Sequence, residues 1–468
     1  MTNNKGFVSI VGAGPGDLEL ITCKGLKCIE EADVILYDRL ANPRLLREAK
    51  DECEFIYCGK LPSNHVMRQE MINAKLVELA KQGKYVVRLK GGDPSVFGRV
   101  GEEAEELVKN NIPYEWIPGI TSSIAAAAYA GIPVTHRKYS NSFTMRTGHD
   151  CALNEGKEGA HQQVGDTIAY YMSVKNIGAN CEKLIAQGKS KHTKVAMIQW
   201  GTLGKQKVIE GTLETMAQIA REHEIENPAM TIIGDVVSLR ESLSWFETKP
   251  FYGKHILIAR SQTGNFELER HFSDQGAEAY SFPLLKRKKK QLTDAEIKQI
   301  LNSQSLMFAS PESAELFLEQ LLIEGIDIRD LPRKIVCRSN QTKKLLAAKG
   351  LVAEKGVEEA EMVVIAPYGY ETKNGDANIF HTHEMVIDER FREINERMLT
   401  EYKWDTVIFP NKAAIDLFIK ENVYTENELS FAYIGESVKE YALKKGFTTI
   451  DQKVQDELER EKWGKTNV

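Results

Sequence analysis

Residues 8–17, with the sequence VSIVGAGPGD, constrain the fold of this chain more than any other segment. An apolar run leads directly into a glycine-rich turn, which is typical of the first strand of a nucleotide-binding α/β domain. The dinucleotide fingerprint Gly-x-Gly-x-x-Gly ends on a glycine, but here Asp17 occupies that place. Pro15 also removes a backbone N–H that would contact a pyrophosphate. A ligand with an adenosine but no phosphate does not need those donors, so the turn favours S-adenosylmethionine over NAD.

The composition indicates a soluble protein of more than one domain. A chain of 468 residues exceeds one ordinary core, and 42% hydrophobic with 27% charged residues is typical of globular proteins. No apolar run approaches the roughly 20 residues of a membrane helix, and the start MTNNKG has no secretory hydrophobic region. We therefore expect a cytoplasmic protein without a membrane partner. The net charge of −6 disfavours general nucleic-acid binding and is compatible with a local basic cleft.

The cysteines predict reduced, buried thiols. There are seven of them, an odd number, and none forms a Cys-x-x-Cys motif. The pairs Cys23/Cys28 and Cys53/Cys58 do not have zinc-ligand spacing, so we expect no metal there.

Apolar runs alternate with amphipathic segments along the first half of the chain, which predicts a largely parallel sheet covered by helices. The predicted strands are residues 7–11, 34–37, 85–89 and 114–117, and the predicted helices are residues 20–31, 66–81, 101–110 and 120–130. The polar segment 147–166 then precedes further strands at residues 167–172, 195–199 and 230–237. We expect one α/β domain over residues 1–247, with lobes at about 1–145 and 146–247.

The pattern starts again at residues 254–260, after the breakers Pro250 and Gly253. This restart predicts a second domain over residues 252–468. Within it, FASPESAELF at residues 308–317 parallels FPNKAAIDLF at residues 409–418. The internal similarity favours two related α/β lobes.

Two more glycine turns follow predicted strands of the first domain. In RLKGGDPSVFG, Gly91 and Gly92 allow close backbone approach, and Asp93 offers a carboxylate to a ribose or an ammonium group. In PGITSS, Thr121 and Ser122 offer hydroxyls. Taken singly, each segment is also compatible with a tight turn or a helix cap.

Together with YDRL at residues 37–40, GIPVTHR at 131–137 and TGH at 147–149, these segments resemble the uroporphyrinogen-III C-methyltransferase family over residues 5–246. The resemblance implies a bilobal tetrapyrrole methylase fold and a homodimer formed through this domain. It also implies S-adenosylmethionine between the lobes and two methyl transfers to uroporphyrinogen III, which give precorrin-2. Ser95 departs from the family's usual phenylalanine, which affects local packing more than chemistry.

The resemblance also assigns roles by position. Asp38 and Lys60 match the family's proton acceptor and donor, although Asp38 could instead be paired with Arg39 or Lys60. The implied cofactor contacts are Pro15, Gly91, Gly92, Asp93, Val96, Thr121, Ser122, Met172 and Gly201. Because the substrate carries eight carboxylates, a productive cleft should expose cations. The candidates are Arg39, Arg99, Arg137 and Arg146, with Lys60 and the weaker His136.

Residues 252–451 resemble, mainly in architecture, the uroporphyrinogen-III synthases, which cyclise hydroxymethylbilane. The order of the two domains makes metabolic sense, because a synthase makes the compound that the methyltransferase consumes. Three positions depart from the pattern of that family. Phe380 and Thr382 replace a Tyr-x-Thr, Pro410 and Asn411 replace a Thr-Ser, and Val438 replaces a threonine. These departures leave open a non-catalytic tetrapyrrole-binding domain.

Three further interpretations remain at this point. The basic run at residues 286–290 is either a solvated face or an attractor for the anionic bilane. His381 and His383 lack an identifiable third metal ligand. An NAD-dependent oxidoreductase is the alternative enzyme, which Pro15 and Asp17 disfavour.

Overall fold

The computed structural model describes residues 6–59, 67–148, 165–264, 266–359, 361–370, 372, 378–421 and 429–463. The chain folds into two units. The first comprises Met1–His255 and His271–Glu278, and the second comprises Ile256–Arg270 and Ala279–Val468.

The first lobe of unit one is built on a five-stranded sheet of order β3-β2-β4-β1-β5, in which every pairing is parallel. Its strands are β1 (Phe7–Gly12), β2 (Val34–Tyr37), β3 (Glu54–Tyr57), β4 (Tyr85–Lys90) and β5 (Tyr114–Ile117). The helices of this region are α1 (Cys23–Glu31), α2 (Gln69–Lys81), α3 (Val100–Lys109) and α4 (Ser122–Tyr129). Because the strands are parallel, their carboxyl ends lie along one edge, where the loops of such sheets bind ligands.

The second lobe is a mixed sheet of order β6-β7-β10-β8-β9. Its strands are β6 (Phe143–Thr147), β7 (Thr167–Tyr171), β8 (Lys194–Gln199), β9 (Lys207–Thr212) and β10 (Ala229–Ile233). Its helices are α5 (Ile177–Ala186), α6 (Met216–Glu222) and α7 (Arg240–Leu243). The strand predicted at residues 230–237 ends early, because Asp235–Leu239 form a 3₁₀ helix after Gly234, whose φ is +141°.

Alanines join α4 to the second sheet. Ala126, Ala127 and Ala130 pack with Ala169 and Ala196 in one buried cluster. Side chains this small let the helix approach the strands closely.

The second half of the chain contains two sheets, of order β12-β11-β19-β20 and β13-β18-β17-β14-β15-β16. The strands are β11 (His255–Ala259), β12 (Glu278–Phe282), β13 (Leu285–Lys289), β14 (Ser305–Phe308), β15 (Lys334–Cys337), β16 (Glu354–Lys355), β17 (Val363–Pro367), β18 (Asn378–Ile387), β19 (Thr406–Phe409) and β20 (Ser430–Tyr433). The helices are α8 (Glu267–Asp274), α9 (Asp294–Leu301), α10 (Pro311–Ile323), α11 (Asn340–Ala348), α12 (Arg392–Glu401), α13 (Lys412–Lys420), α14 (Glu436–Lys444) and α15 (Gln452–Arg460).

The internal similarity of this half corresponds to a repeated strand, cap and helix. Ser310 caps α10 by accepting the N–H of Ser313, and Asn411 caps α13 by accepting the N–H of Ala414. Both side chains satisfy a backbone donor that a helix start leaves without an intrahelical partner.

The basic run lies on β13, at the edge of the six-stranded sheet, and much of it is ion-paired. Arg287 lies 3.5 Å from Glu315, and Lys289 lies 3.0 Å from Glu319. These pairs favour the solvated-face interpretation over an attractor for the bilane.

Each of the two histidines of β18 has a polar protein group beside its ring. His381 Nδ1 lies 3.0 Å from the carbonyl oxygen of Pro367, and His383 Nδ1 lies 3.1 Å from the Thr382 hydroxyl. Across the described part of the chain, no group of at least three His, Cys, Asp or Glu side chains could hold a metal ion.

Six cysteines lie in the described regions as free thiols. Cys23 is exposed, whereas Cys28, Cys53, Cys58, Cys181 and Cys337 are buried. Cys151 lies outside the described residues.

We expect a short iodoacetamide pulse at about pH 8 to label Cys23 and to spare Cys58 and Cys181 until the chain is unfolded. Burial raises the pKa of both buried thiols to about 11, so the reactive thiolate is scarce. Peptide mass spectrometry reads out the labelling, and urea-unfolded protein is the control. Rapid native labelling of Cys58 would contradict the prediction.

Candidate functional site

Three glycine turns meet at the carboxyl edge of the parallel sheet. Gly14 donates its N–H to the Gly92 carbonyl at 3.2 Å, and Gly92 donates to the Gly14 carbonyl at 2.7 Å. A Cβ on Gly119 would lie 2.3 Å from the Gly92 oxygen and 2.9 Å from the α-carbon of Gly12. This close approach requires glycine, and it joins the turns that the sequence places far apart.

Asp93 links two of these turns through its carboxylate. Its Oδ1 accepts the N–H of Ser95 at 2.7 Å, and its Oδ2 accepts the N–H of Gly119 at 3.0 Å. The carboxylate thus shapes the edge, and its contact with a ligand stays a prediction. Ser95 itself is exposed, and Val96 closes the turn by donating its N–H to the Asp93 carbonyl at 3.2 Å.

The second lobe reaches the same edge through β7. The hydroxyl of Tyr171 lies 2.5 Å from Thr121 Oγ1 and accepts the N–H of Ser123 at 3.2 Å. Met172 follows with a φ of +54° and is 43% exposed. Met172 thus directly follows the residue that contacts the start of α4, and its side chain is partly exposed.

Gly201 packs against the middle of α4, at Ala126. A Cβ at Gly201 would lie 2.5 Å from that of Ala126, so the turn after β8 touches this helix closely. The structure therefore places Gly92, Tyr171 and Gly201 along α4, whose first residue is Ser122. The contact of the predicted cofactor residues with a ligand stays a prediction.

The open space and the uncharged side chains at these turns fit an adenosyl ligand, which carries no phosphate. At Gly92 the nearest atoms to an added Cβ, the backbone nitrogen of Ser122 and the α-carbon of Thr121, lie 3.9 Å away, so this glycine leaves room beside the helix start. The turns at residues 12–17, 91–96 and 119–122 contain no lysine or arginine. The hydroxyl-bearing residues Thr121, Ser122 and Tyr171 lie at the start of α4 instead.

Asp38 follows β2 at the same edge and is held by Arg88. Its Oδ1 accepts a hydrogen bond from Arg88 Nη2 at 2.5 Å, and its side chain is 32% exposed. The sequence predicted either a free proton acceptor or a partner in Arg39 or Lys60. Arg39 is exposed, and Lys60 lies outside the described residues.

A buried ion cluster lies behind Asp38, and we call Arg88, Lys90 and Glu103 the β4 cluster. Glu103 Oε1 accepts from Arg88 Nε at 3.1 Å and from Lys90 Nζ at 2.7 Å, and all three side chains are at most 4% exposed. Burial alone would lower the pKa of Arg88, but the carboxylates of Asp38 and Glu103 outweigh it and raise that pKa. Burial and the charge of Arg88 lower the pKa of Lys90.

Sequence reasoning missed the β4 cluster, although a signal was present. Arg88 and Lys90 alternate on a strand whose other residues are apolar, so both side chains point to the same face. Glu103, the fourth residue of α3, is the counter-charge.

The predicted substrate cations lie at separate places. Arg99 pairs with Glu102 at 2.5 Å on the surface. His136 accepts the N–H of Lys138 at 3.2 Å in a tight turn that also carries the exposed Arg137. Arg146 lies on β6. Their contact with a substrate stays a prediction.

In the second half, the side chains at the positions that depart from the synthase pattern are buried or cap a helix. Phe380, Thr382 and Val438 are buried, and the Asn411 side chain is the cap of α13. At the ends of β15 and β17, Arg338 Nη1 donates to the Tyr370 hydroxyl at 2.8 Å. That hydroxyl donates to Glu358 Oε2 at 3.3 Å.

The first half of the chain thus combines a parallel sheet with a mixed sheet, and the glycine turns at the edge of the parallel sheet carry no cations. Residues 8–217 match the model of the Tetrapyrrole (Corrin/Porphyrin) Methylases, and residues 267–367 match that of Uroporphyrinogen-III synthase HemD. The chain is 44% identical over 427 residues to a uroporphyrinogen-III C-methyltransferase of Bacillus subtilis, covering 90% of this chain and 88% of that one. It therefore belongs to the uroporphyrinogen-III C-methyltransferase family.

Other relatives match the first half alone. The Priestia megaterium uroporphyrinogen-III C-methyltransferase is 55% identical over 235 residues, which cover 50% of this chain and 99% of that protein. A solved Thermus thermophilus uroporphyrin-III-C-methyltransferase shares 34% identity with a TM-score of 0.44, covering 52% of this chain and 97% of that one. The predicted α/β fold and both family resemblances are confirmed.

Proposed function

We propose that the first half of the chain methylates uroporphyrinogen III twice with S-adenosylmethionine and so forms precorrin-2. The observation that carries this proposal is that three glycine turns meet in the first lobe and that Tyr171 and Gly201 of the second lobe reach α4 beside them. The residues that would hold the cofactor are those implied by the family resemblance: Pro15, Gly91, Gly92, Asp93, Val96, Thr121, Ser122, Met172 and Gly201.

S-adenosylmethionine supplies an activated sulfonium methyl group, and the attacking pyrrole carbon is electron-rich. The chain therefore mainly has to align the two reactants. Afterwards a proton must leave the methylated ring system. Asp38, partly exposed and fixed by Arg88, would accept it, and Lys60 would be the donor by family position. Arg39, Arg99, Arg137 and Arg146, with His136, would bind the substrate carboxylates.

The second half would supply the substrate by cyclising hydroxymethylbilane to uroporphyrinogen III. The match to the synthase model and the similarity to the B. subtilis relative over 427 residues support this activity. A tetrapyrrole-binding domain without activity is the alternative. The burial of Phe380 and Val438, at positions where the synthase pattern has hydroxyl side chains, favours this alternative.

We further propose that the enzyme acts as a homodimer in the cytoplasm, and that its precorrin-2 serves cobalamin or sirohaem synthesis. Within the described regions, the chain has no helix that is both long and apolar enough to span a bilayer.

The whole chain should convert hydroxymethylbilane and S-adenosylmethionine to the dimethylated type III product, detected by the absorbance of its oxidised form. Enzymatically prepared uroporphyrinogen III, supplied in place of the bilane, is the control for the methylation step. Methylation of this control, with only type I product from the bilane, would show that the second half is not a synthase. Lack of methylation in both reactions would contradict the proposed methyltransferase.

A further inference from the structure

Asp17, the residue that replaces the last glycine of the dinucleotide fingerprint, connects the two lobes of unit one. Its Oδ2 accepts a hydrogen bond from the Tyr129 hydroxyl at 2.6 Å, at the end of α4. Its backbone N–H donates to Thr202 Oγ1 at 3.1 Å, in the turn after β8. Its Oδ1 accepts the N–H of Glu19. Asp17 therefore has partners in both lobes.

Gln206 closes these contacts into a ring. Its Oε1 accepts the N–H of Thr202 at 3.0 Å, and its Nε2 donates to the Tyr129 carbonyl at 3.3 Å. Gln206 and Thr202 are at most 4% exposed. Asp17 and Tyr129 are partly buried. Hydrogen bonds that involve buried or charged groups are costly to break, so the ring of Asp17, Tyr129, Gln206 and Thr202 fixes its members relative to one another. We call these four residues the Asp17 latch.

The backbone at the latch is strained and crowded. Thr202 has a φ of +73°, a left-handed conformation that β-branched residues rarely adopt. A Cβ at Gly16 would lie 3.0 Å from Thr202 Oγ1 and from Leu203 Cγ. Such strain persists only where surrounding contacts impose it, and it concentrates at functional sites.

The latch lies next to two of the residues that would hold the cofactor. Pro15 is two residues from Asp17, and Gly201 precedes Thr202. Burial and the carboxylate of Asp17 raise the pKa of the Tyr129 hydroxyl, so it stays protonated as a donor. The latch thus joins the glycine turn of the first lobe to the turn of the second at the cofactor region.

We propose that the Asp17 latch positions the glycine turn against the turn after β8 and thereby sets the affinity for the adenosyl ligand. Its members are positioning residues, and the proposal rests on the proposed use of S-adenosylmethionine. Asp17, which disfavours a pyrophosphate, would thus contribute to the binding of the adenosyl ligand.

Tyr129→Phe removes one hydrogen bond, and Thr202→Val removes another while keeping the β-branched shape. We expect each to weaken the binding of S-adenosylhomocysteine about tenfold in titration calorimetry, because each bond involves a charged or buried group. At saturating S-adenosylmethionine, kcat should change by less than about twofold. Thr202→Ser keeps the hydroxyl and should restore affinity. The double variant should lose less than the product of the single losses, since both bonds hold Asp17.

Tyr441→Phe is the matched control, because the Tyr441 hydroxyl donates to Asp416 at 2.7 Å in the second unit. It removes the same kind of bond and should leave the affinity unchanged. If Tyr129→Phe and Thr202→Val lower the thermal midpoint but bind S-adenosylhomocysteine like the wild type, the latch is only structural and the proposal fails. Absence of binding by the wild type would instead refute the proposed cofactor.

Discussion

Asp38→Asn should lower the turnover of uroporphyrinogen III about 10²- to 10⁴-fold, the usual contribution of a general acid or base. Asparagine keeps an oxygen that can accept the hydrogen bond from Arg88, but it cannot take a proton at neutral pH. Binding of S-adenosylhomocysteine should change by less than about twofold, because the loss concerns proton transfer. Asp38→Ala should show the same loss of turnover. Single-turnover methylation and calorimetry measure the two quantities.

Asp33→Asn is the matched control for this prediction. Asp33 lies immediately before β2, at the end of the strand opposite to Asp38. Its Oδ1 lies 2.5 Å from Lys50 Nζ. Its substitution removes an ion-paired aspartate without touching the proposed site, so turnover should persist. Wild-type turnover in Asp38→Asn would remove the catalytic role, and a loss in Asp38→Ala alone would show that Asp38 only orders Arg88.

Glu103→Gln should destabilise the β4 cluster by about 3–5 kcal/mol, since it removes the anion that Arg88 and Lys90 share. The substitution keeps the shape of the side chain and therefore isolates the charge. Hydrogen exchange of peptides covering β4 and α3 measures the local free energy of opening in the full chain.

The pH dependence of this variant follows from Lys90. Burial and Arg88 lower the pKa of Lys90 in the folded protein, whereas the unfolded chain keeps an ordinary lysine pKa. Between the two values the unfolded chain binds more protons, so stability rises with pH. Glu103 is one of the groups that raise the pKa of Lys90, so its replacement should lower that pKa further. The deficit of Glu103→Gln should therefore shrink as the pH rises and Lys90 loses its proton in the folded variant.

Glu102→Gln provides the comparison on the same helical turn. Glu102 and its partner Arg99 are 51% and 53% exposed, so this pair should contribute at most about 1 kcal/mol. Equal protection of β4 and α3 in Glu103→Gln and Glu102→Gln would show that the buried cluster contributes nothing beyond a surface pair.

In the first half of the chain, the sequence predicted the central strands and missed the edge strands β3, β6 and β9. Strands β1, β2 and β4 are almost entirely buried, and such strands appear as continuous apolar runs. Strands β3 and β9 lie at sheet edges and are partly exposed, so their apolar residues are interrupted. A continuous apolar run reflects burial on both faces, which these edge strands lack.

What the sequence determined by itself about this protein is its family, its α/β class and the turns that require glycine, because these depend on contiguous residues and their local conformation. The tertiary structure decided which side chains form hydrogen bonds and ion pairs with one another. Asp38 pairs with Arg88, 50 residues away, and Asp17 pairs with Tyr129 and Thr202, 112 and 185 residues away. Partners at such separations are set by how sheets and helices pack, since many charges and hydroxyls in one sequence could satisfy the same carboxylate.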